Sequence, residues 1–236
     1  MKPLMLGTML ASLLLTGAAV AQTPSWLPPA DSARCPSKWG AGDERGAGNH
    51  MKPQSVLNAA KLIKTGETIE LGHVLSASMP LSAGRVFDMQ VKRTAESDLA
   101  NKRHGNEELI VAEMGQVGTQ FDGFAHQTVN NVHYNCFKTA DIATRTGFTK
   151  LGIEKVGMLM TRGVLIDVAG FKGVDMLGDT YEITVADLEG AIRKQNLTFQ
   201  PGDAIIVHTG WGKLWGKDNA RYSKGNPGLG EIASAA

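Results

Sequence analysis

Cysteine is nearly absent. The 236 residues carry two, Cys35 and Cys136, and no Cys-x-x-Cys pair. That excludes a zinc finger and a dithiol redox motif, and no neighbouring base makes either thiol a nucleophile. A charge imbalance is also missing: 24 basic against 23 acidic residues leave a formal net charge of +1. Such a surface has no electrostatic footprint for nucleic acid or for an anionic membrane as partner. The short clusters Lys92-Arg93 and Lys102-Arg103-His104 read as solvated surface. There is no GxSxG elbow, no phosphate-binding P-loop, no HExxH, no internal repeat and no low-complexity block.

What is present starts at the N-terminus. Lys2 supplies a positive charge, residues 4–15 are an apolar run, and Ala19-Val20-Ala21 fits a small-x-small cleavage site. The run is short for a membrane span of about 20 residues. A signal peptide over residues 1–21 is therefore expected, with Gln22 the first residue of an exported, periplasmic or secreted chain that needs no membrane after cleavage. Export makes a disulfide between Cys35 and Cys136 chemically possible, but spacing does not say whether they meet.

Residues 22–50 read as a Pro- and Gly-rich arm containing the unusual loop WGAGDERG at 39–46. Residues 51–236 form the remaining unit. Pro53 opens a helix predicted over 53–64, with Val56, Leu57, Ala60 and Ile63 on one face. Residues 68–75, 86–91 and 109–114 read as strands. Short apolar runs at 159–161 and 164–168, around Arg162-Gly163, predict a hairpin or bent strand. Thr184 and Asp187 make a capping pair for a helix ending near Asn196. Pro201-Gly202-Asp203 is a turn into a buried strand over 204–207, which leads to His208 and Trp211. With 28 glycines and strands mixed with helices, an α/β or α+β single domain is the expected class.

The densest polar cluster is GQVGTQFDGFAH, residues 115–126. Gln116 and Gln120 are an even number apart, so an extended chain points both to one face, and Asp122 continues it. Asp122 and His126 are competent metal ligands, with glutamine a weak neutral oxygen donor that suits a hard ion better than zinc. The same spacing also fits a hydrogen-bonded polar turn, with Asp122 capping amides and His126 structural. His133 reads as a surface residue, His50 as a contributor to the first helix cap, His73 as inward or paired, and His208 as core packing at a strand end.

The 116–126 frame resembles the cyclase family that includes bacterial kynurenine formamidase and isatin hydrolase. The family's motif is His-x-Gly-Thr-His-x-Asp-x-x-x-His. Gly118, Thr119, Asp122 and His126 match it in register, and Gln116 and Gln120 stand where the motif has histidine. The WGAGDERGAGN loop looks like the signature of the family's longer exported branch. RGVLID at 162–167, GDAIIVHTGW at 202–211 and NPGLG at 226–230 look like its later strands and Pro-Gly loop.

The resemblance implies an α/β, swivelling β/β/α single domain, often a homodimer, and metal-dependent hydrolysis of an amide, formamide or lactam bond in a small-molecule substrate. It assigns Gln116, Gln120 and Asp122 to a divalent metal, Mn or Zn, and His126 to acid–base catalysis. Trp39, Phe121, Phe124 and Trp211 are candidates to line the substrate pocket. The family's further His and Glu site residues follow the Pro-Gly loop. With Ala236 last, a chain shortened at its C-terminus is expected. A non-catalytic small-molecule binder on the same scaffold and a metal-free Asp122–His126 hydrolase are the alternatives.

Overall fold

Thr184 begins the longest helix among the described residues. Its hydroxyl accepts the Asp187 N–H while the Asp187 carboxylate accepts the Thr184 N–H, a reciprocal cap that starts a helix over Val185–Gln195. Asn196, in the left-handed conformation, ends it. The computed structural model describes residues 29–93, 100–230 and 233–234, so the predicted leader lies outside the described residues.

In chain order the main elements are α1 (Pro53–Ala60), β1 (Phe87–Arg93), β2 (Asn106–Ala112), β3 (Gly163–Asp167), α2 (Val168–Lys172), α3 (Val185–Gln195) and β4 (Ala204–His208). Strands β1 and β2 form an antiparallel hairpin from Phe87↔Ala112 to Arg93↔Asn106. Strands β3 and β4 pair in parallel, with Asp167 opposite His208. Two-residue strands at Glu182–Ile183 and Gly228–Leu229 are also parallel, and Ala143–Thr144 pairs with Gly147–Phe148 antiparallel. Among the described residues the sheets are thus four separate two-stranded ladders. The mixture of helices with both parallel and antiparallel pairs is an α/β architecture.

The core sits where α2 and α3 cover β3 and β4. Ile166, Val168, Ala169, Leu177, Ile183 and Ala191 are buried together, with Phe171, Tyr181, Leu188, Ile192, Leu197 and Val207 packed around them. Asp187 lies at its edge and is itself buried. It accepts from Lys172 Nζ at 3.0 Å, Tyr181 Oη at 2.9 Å and the Thr184 hydroxyl at 2.9 Å. Burial pushes its carboxyl up, but these donors and the Thr184 N–H outweigh burial and bring it down to about 2.

Three expectations are corrected. Residues 159–161 do not pair with 164–168. Arg162 instead turns to grip Asp203, donating from Nε at 3.0 Å, and Nη2 also donates to the Thr198 carbonyl at 3.0 Å. The partner of β3 therefore comes from 41 residues later. Residues 68–75 enter no ladder, and Ile69, Leu71 and Val74 are exposed. Helix α1 stops at Ala60, before the predicted end, and buries none of its residues.

The segment leading to α1 is folded onto the later chain. A disulfide joins Cys35 to Cys136. Asn135 Oδ1 accepts the Ser37 N–H at 2.7 Å, and its amide donates to the carbonyls of Gly40 and Asp43. Asp43 accepts from Tyr134 Oη at 2.6 Å, from the Gly46 N–H at 2.9 Å and from Asn49 Nδ2 at 2.6 Å. Burial raises the Asp43 carboxyl, and these donors more than offset it, holding it below the usual carboxylate range.

Candidate functional site

Gly118 fixes the path of the motif. Its φ is +73°, and a Cβ there would lie 2.4 Å from Leu75 Cδ2 and 3.2 Å from Trp215 Cη2. Only glycine fits a left-handed turn pressed against an indole. Gln116 before it also has a positive φ, 56°. The two turns send the motif's side chains to different hollows.

Gln116 lines a cavity of about 620 Å³ with His73, Trp211, Trp215 and Tyr222. His73 stacks on Trp215 with ring centroids 4.4 Å apart, and its backbone N–H donates to Thr119 Oγ1 at 2.8 Å. Burial pushes the Tyr222 hydroxyl's pKa up. Phe121, Asp122 and Phe124 line a second, mostly apolar cavity of about 240 Å³, together with Arg45, His50 and Met51. His126 lies in a third hollow, of about 380 Å³, with Asp122, Phe124 and Tyr134. Asp122 and Phe124 are common to the last two. Phe124 forms the partition, stacked on Tyr134 at 4.3 Å. Gly46 leaves space for it, since a Cβ at Gly46 would lie 2.5 Å from Phe124 Cζ.

Asp122 and His126 are neighbours: Oδ2 and Nε2 stand 3.8 Å apart, a charge-pair distance rather than a hydrogen bond. Gln120 faces Asp122 with its nitrogen. Its Oε1 accepts the Val117 N–H at 3.1 Å, and this fixes the amide so that Nε2 donates to both Asp122 oxygens at 3.2 Å. Trp39 lines none of these three hollows. It stands behind His50, edge to face at 4.8 Å, and Lys38 Nζ is 4.8 Å from its ring. The structure thus brings together Gln120, Asp122, His126, Phe121 and Phe124, places Gln116 and Trp211 at another cavity, and sets Trp39 one shell back.

A divalent metal needs several lone pairs aimed at one point. Here the Gln120 oxygen is committed to Val117, its nitrogen presents hydrogens, and Gln116 opens on another cavity. Among the described residues no three His, Cys, Asp or Glu side chains gather as a metal cluster. In this arrangement Gln116, Gln120 and Asp122 do not fit a common metal ion, and no chemistry is derived through one.

Other histidines differ from expectation. His133 is buried, with Nε2 2.9 Å from Thr139 Oγ1. His50 does not cap α1: Lys52 is the cap residue, and His50 Nε2 is 3.2 Å from Lys38 Nζ. His208 is not core. It is half-exposed, and its Nδ1 is 2.8 Å from Asp167 Oδ1 at the carboxyl ends of β3 and β4. That contact, with the Gly170 N–H, lowers the Asp167 pKa. Arg45 and Tyr134 also line the site hollows, where motif spacing does not place them. The only signal was the density of polar residues in WGAGDERG and the tyrosine beside His133.

Among curated proteins, no sequence matches the chain. A solved structure described as a novel cyclase is similar at 33% identity, with a TM-score of 0.74, over 82% of this chain and 69% of that one. The family model "Putative cyclase" matches residues 69–235, well over half of the length. A family model spanning the motif, β3, α3 and β4, joined by a structural likeness at substantial identity, leaves one assignment: the chain belongs to the putative cyclase family.

Proposed function

We propose that the protein is a hydrolase of an amide, formamide or lactam bond in a small metabolite, with His126 as the proton carrier and Asp122 as its orienting anion. The observation that carries this reading is the Asp122–His126 pair, both lining the 380 Å³ hollow, with Asp122 also lining the neighbouring apolar one. Asp122 beside Nε2 favours the tautomer with hydrogen on Nε2 and leaves Nδ1 as the base. In the reaction, Nδ1 takes a proton from water as its oxygen bonds to the substrate carbonyl carbon. The C–N bond then breaks, and the leaving nitrogen takes that proton from Nδ1. Asp122 stabilises the imidazolium between the two transfers. Gln120, donating to both Asp122 oxygens, holds the carboxylate in place.

The test is hydrolysis of N-formylkynurenine and isatin by the full chain, with chelator and with added Mn²⁺ or Zn²⁺. Turnover that survives chelation and falls at least about 100-fold in His126→Ala supports the reading, since a positioned acid–base contributes about that much or more. Activity that appears only with added metal replaces it by a metal-dependent site. Full activity in both Asp122→Ala and His126→Ala sinks it.

A second reading, a small-molecule binder without turnover, draws on Gln120. Its neutral amide occupies both oxygens of the only carboxylate in the 115–126 stretch. Saturable binding of either compound without hydrolysis under any metal would favour it.

A further inference from the structure

One covalent cross-link bears on the wall of the site and not on the core. Cys35 is joined to Cys136 across a sequence separation of 101. The two residues before Cys136 carry the contacts that hold the N-terminal loop. Asn135 accepts the Ser37 N–H at 2.7 Å and donates to the carbonyls of Gly40 at 2.9 Å and Asp43 at 3.1 Å. Tyr134 donates to Asp43 at 2.6 Å and stacks on Phe124 with centroids 4.3 Å apart. Phe124 is also met by Gly46 of the same loop, where a Cβ would lie 2.5 Å from Phe124 Cζ. Two rings, Tyr134 and Phe124, therefore stand between the disulfide and the hollow that Asp122 and His126 line.

Both cysteines are partly exposed, so an attacking thiolate can reach the bond. Asn135 and Cys136 have positive φ, 56° and 61°. A left-handed conformation is unfavourable for a residue with a Cβ and persists only where its surroundings hold it. With the disulfide open, the hydrogen bonds of Asn135 must do so alone. Further ties of the loop to the later chain are noncovalent: the Leu151 N–H to Glu44 at 2.6 Å, Lys150 to Glu44 at 3.5 Å and Arg45 Nη2 to the Met158 carbonyl at 3.2 Å. Among the described residues the core beneath α2 and α3 takes none of its members from 35–50 or 134–136. Breaking the bond thus relaxes the wall of the site and leaves the core packed.

We propose that the Cys35–Cys136 disulfide is a redox latch on the site: reduction by a dithiol frees residues 37–50 and the 134–136 turn, withdraws the support of Phe124 and lowers turnover, while the β3–β4 layer stays folded. A thiolate of the dithiol attacks one sulfur, and the other cysteine leaves as a thiolate that takes a proton from water. The second thiolate of the dithiol then attacks the mixed disulfide and releases the remaining cysteine. Two electrons pass to the protein, and the dithiol ends as a disulfide. The effect on turnover rests on the hydrolase reading above; the opening of the wall does not.

The test is hydrogen exchange of the full chain, oxidised and in excess dithiothreitol, with hydrolysis of isatin and N-formylkynurenine followed in parallel. On reduction, residues 37–50 and 134–136 should lose protection at least about tenfold while 185–195 changes by less than about twofold. Turnover should fall at least about tenfold, since a misplacement of about 1 Å outside the reacting groups can cost roughly 100-fold. Reoxidation should restore both. The double variant Cys35→Ser, Cys136→Ser should show the reduced pattern with or without dithiothreitol. Asn135→Ala, oxidised, should loosen the same segments with the bond intact. If the double variant does not fold, as judged by thermal melting, the unsubstituted chain under dithiothreitol carries the test. Equal protection in the two states, equal loss at 185–195, or an opening that reoxidation does not reverse overturns the inference. Selective, reversible opening in a chain that hydrolyses neither compound keeps the latch and sinks the hydrolase reading. Hydrolysis at the same rate in both states keeps the hydrolase reading and sinks the latch.

Discussion

The stretch from β3 to β4 and the β1–β2 hairpin both carry strands rich in aliphatic residues, and they use them in opposite ways. In the first, Ile166 is 4% exposed and Ile183 is 0% exposed beneath α2 and α3. In the second, Met89 is 48%, Val91 64% and Ile110 57% exposed. The register places Phe87, Met89 and Val91 on the same face as Ala112 and Ile110, so the hairpin has an apolar side on which Met89, Val91 and Ile110 stay exposed. Aliphatic alternation therefore specifies a strand, and burial needs a second layer as well. A two-stranded hairpin alone is marginally stable in water. The region holding the motif is tied down by a covalent link and by Asp43 instead of by a thick core.

That contrast can be broken in order of expected effect. Replacing Cys35 and Cys136 with serine opens a closure of sequence separation 101, for which chain entropy alone predicts a loss of about 4.7 kcal/mol. Chemical denaturation of oxidised and reduced protein checks it, and hydrogen exchange should show residues 37–50 losing protection before α3. Ile183→Ala should cost about 3 kcal/mol through the cavity it leaves, read as a fall in the denaturation midpoint.

Asp187 gives the core half an acid dependence. Its folded pKa of about 2 lies below the ordinary 3.8, so its contribution of roughly 2 kcal/mol is fully present above about pH 4. It is lost as pH falls from there toward 2. Asp187→Asn should flatten stability across that window, measured by urea unfolding at several pH values. Gly118→Ala should cost about 1–2 kcal/mol from its positive φ and the contact with Trp215, and should lower ligand affinity more than it moves the melting of the β3–β4 half. Ile110→Ala should change stability by less than about 0.5 kcal/mol, as exposed positions do. A cost near that of Ile183→Ala would mean the hairpin face is covered in solution and would erase the comparison.

How much could be read in advance follows the same division. The Thr184–Asp187 cap, the end of α3 at Asn196 and the position of the strand after Pro201-Gly202 are local signals, and each is where periodicity and turn chemistry put it, but that strand is not buried as expected: Ile205 and Ile206 are exposed. The two strands of the hairpin were also legible. Residues 68–75 have strand composition but pair with no strand among the described residues, and partner choice is not local. The β3 pairing failed for the same reason, because Arg162 was attractive as a turn and its true contact, Asp203, is 41 residues away. At the site, the motif frame located Asp122 and His126 together. It did not show that positive φ at Gln116 and Gly118 would send Gln116 to another cavity, nor that the Val117 N–H would decide which way Gln120 faces. Arg45 is joined to the motif only through tertiary packing, so its place could not be read from spacing.

The link from Tyr134 to Asp43 has a consequence for assembly in time. The two residues are 91 apart, and Asn135 reaches 98 residues back to Ser37. A nascent chain emerging N-terminus first has made residues 37–50 long before Tyr134 exists, so those residues must wait undocked until the later segment arrives. Contacts of such long range are slow to close and form late. The β3–β4 layer, whose helices and strands lie within one short stretch, can consolidate without them. The wall that carries Arg45 would then be the last part of the cavity to form and, on the same account, the first to open.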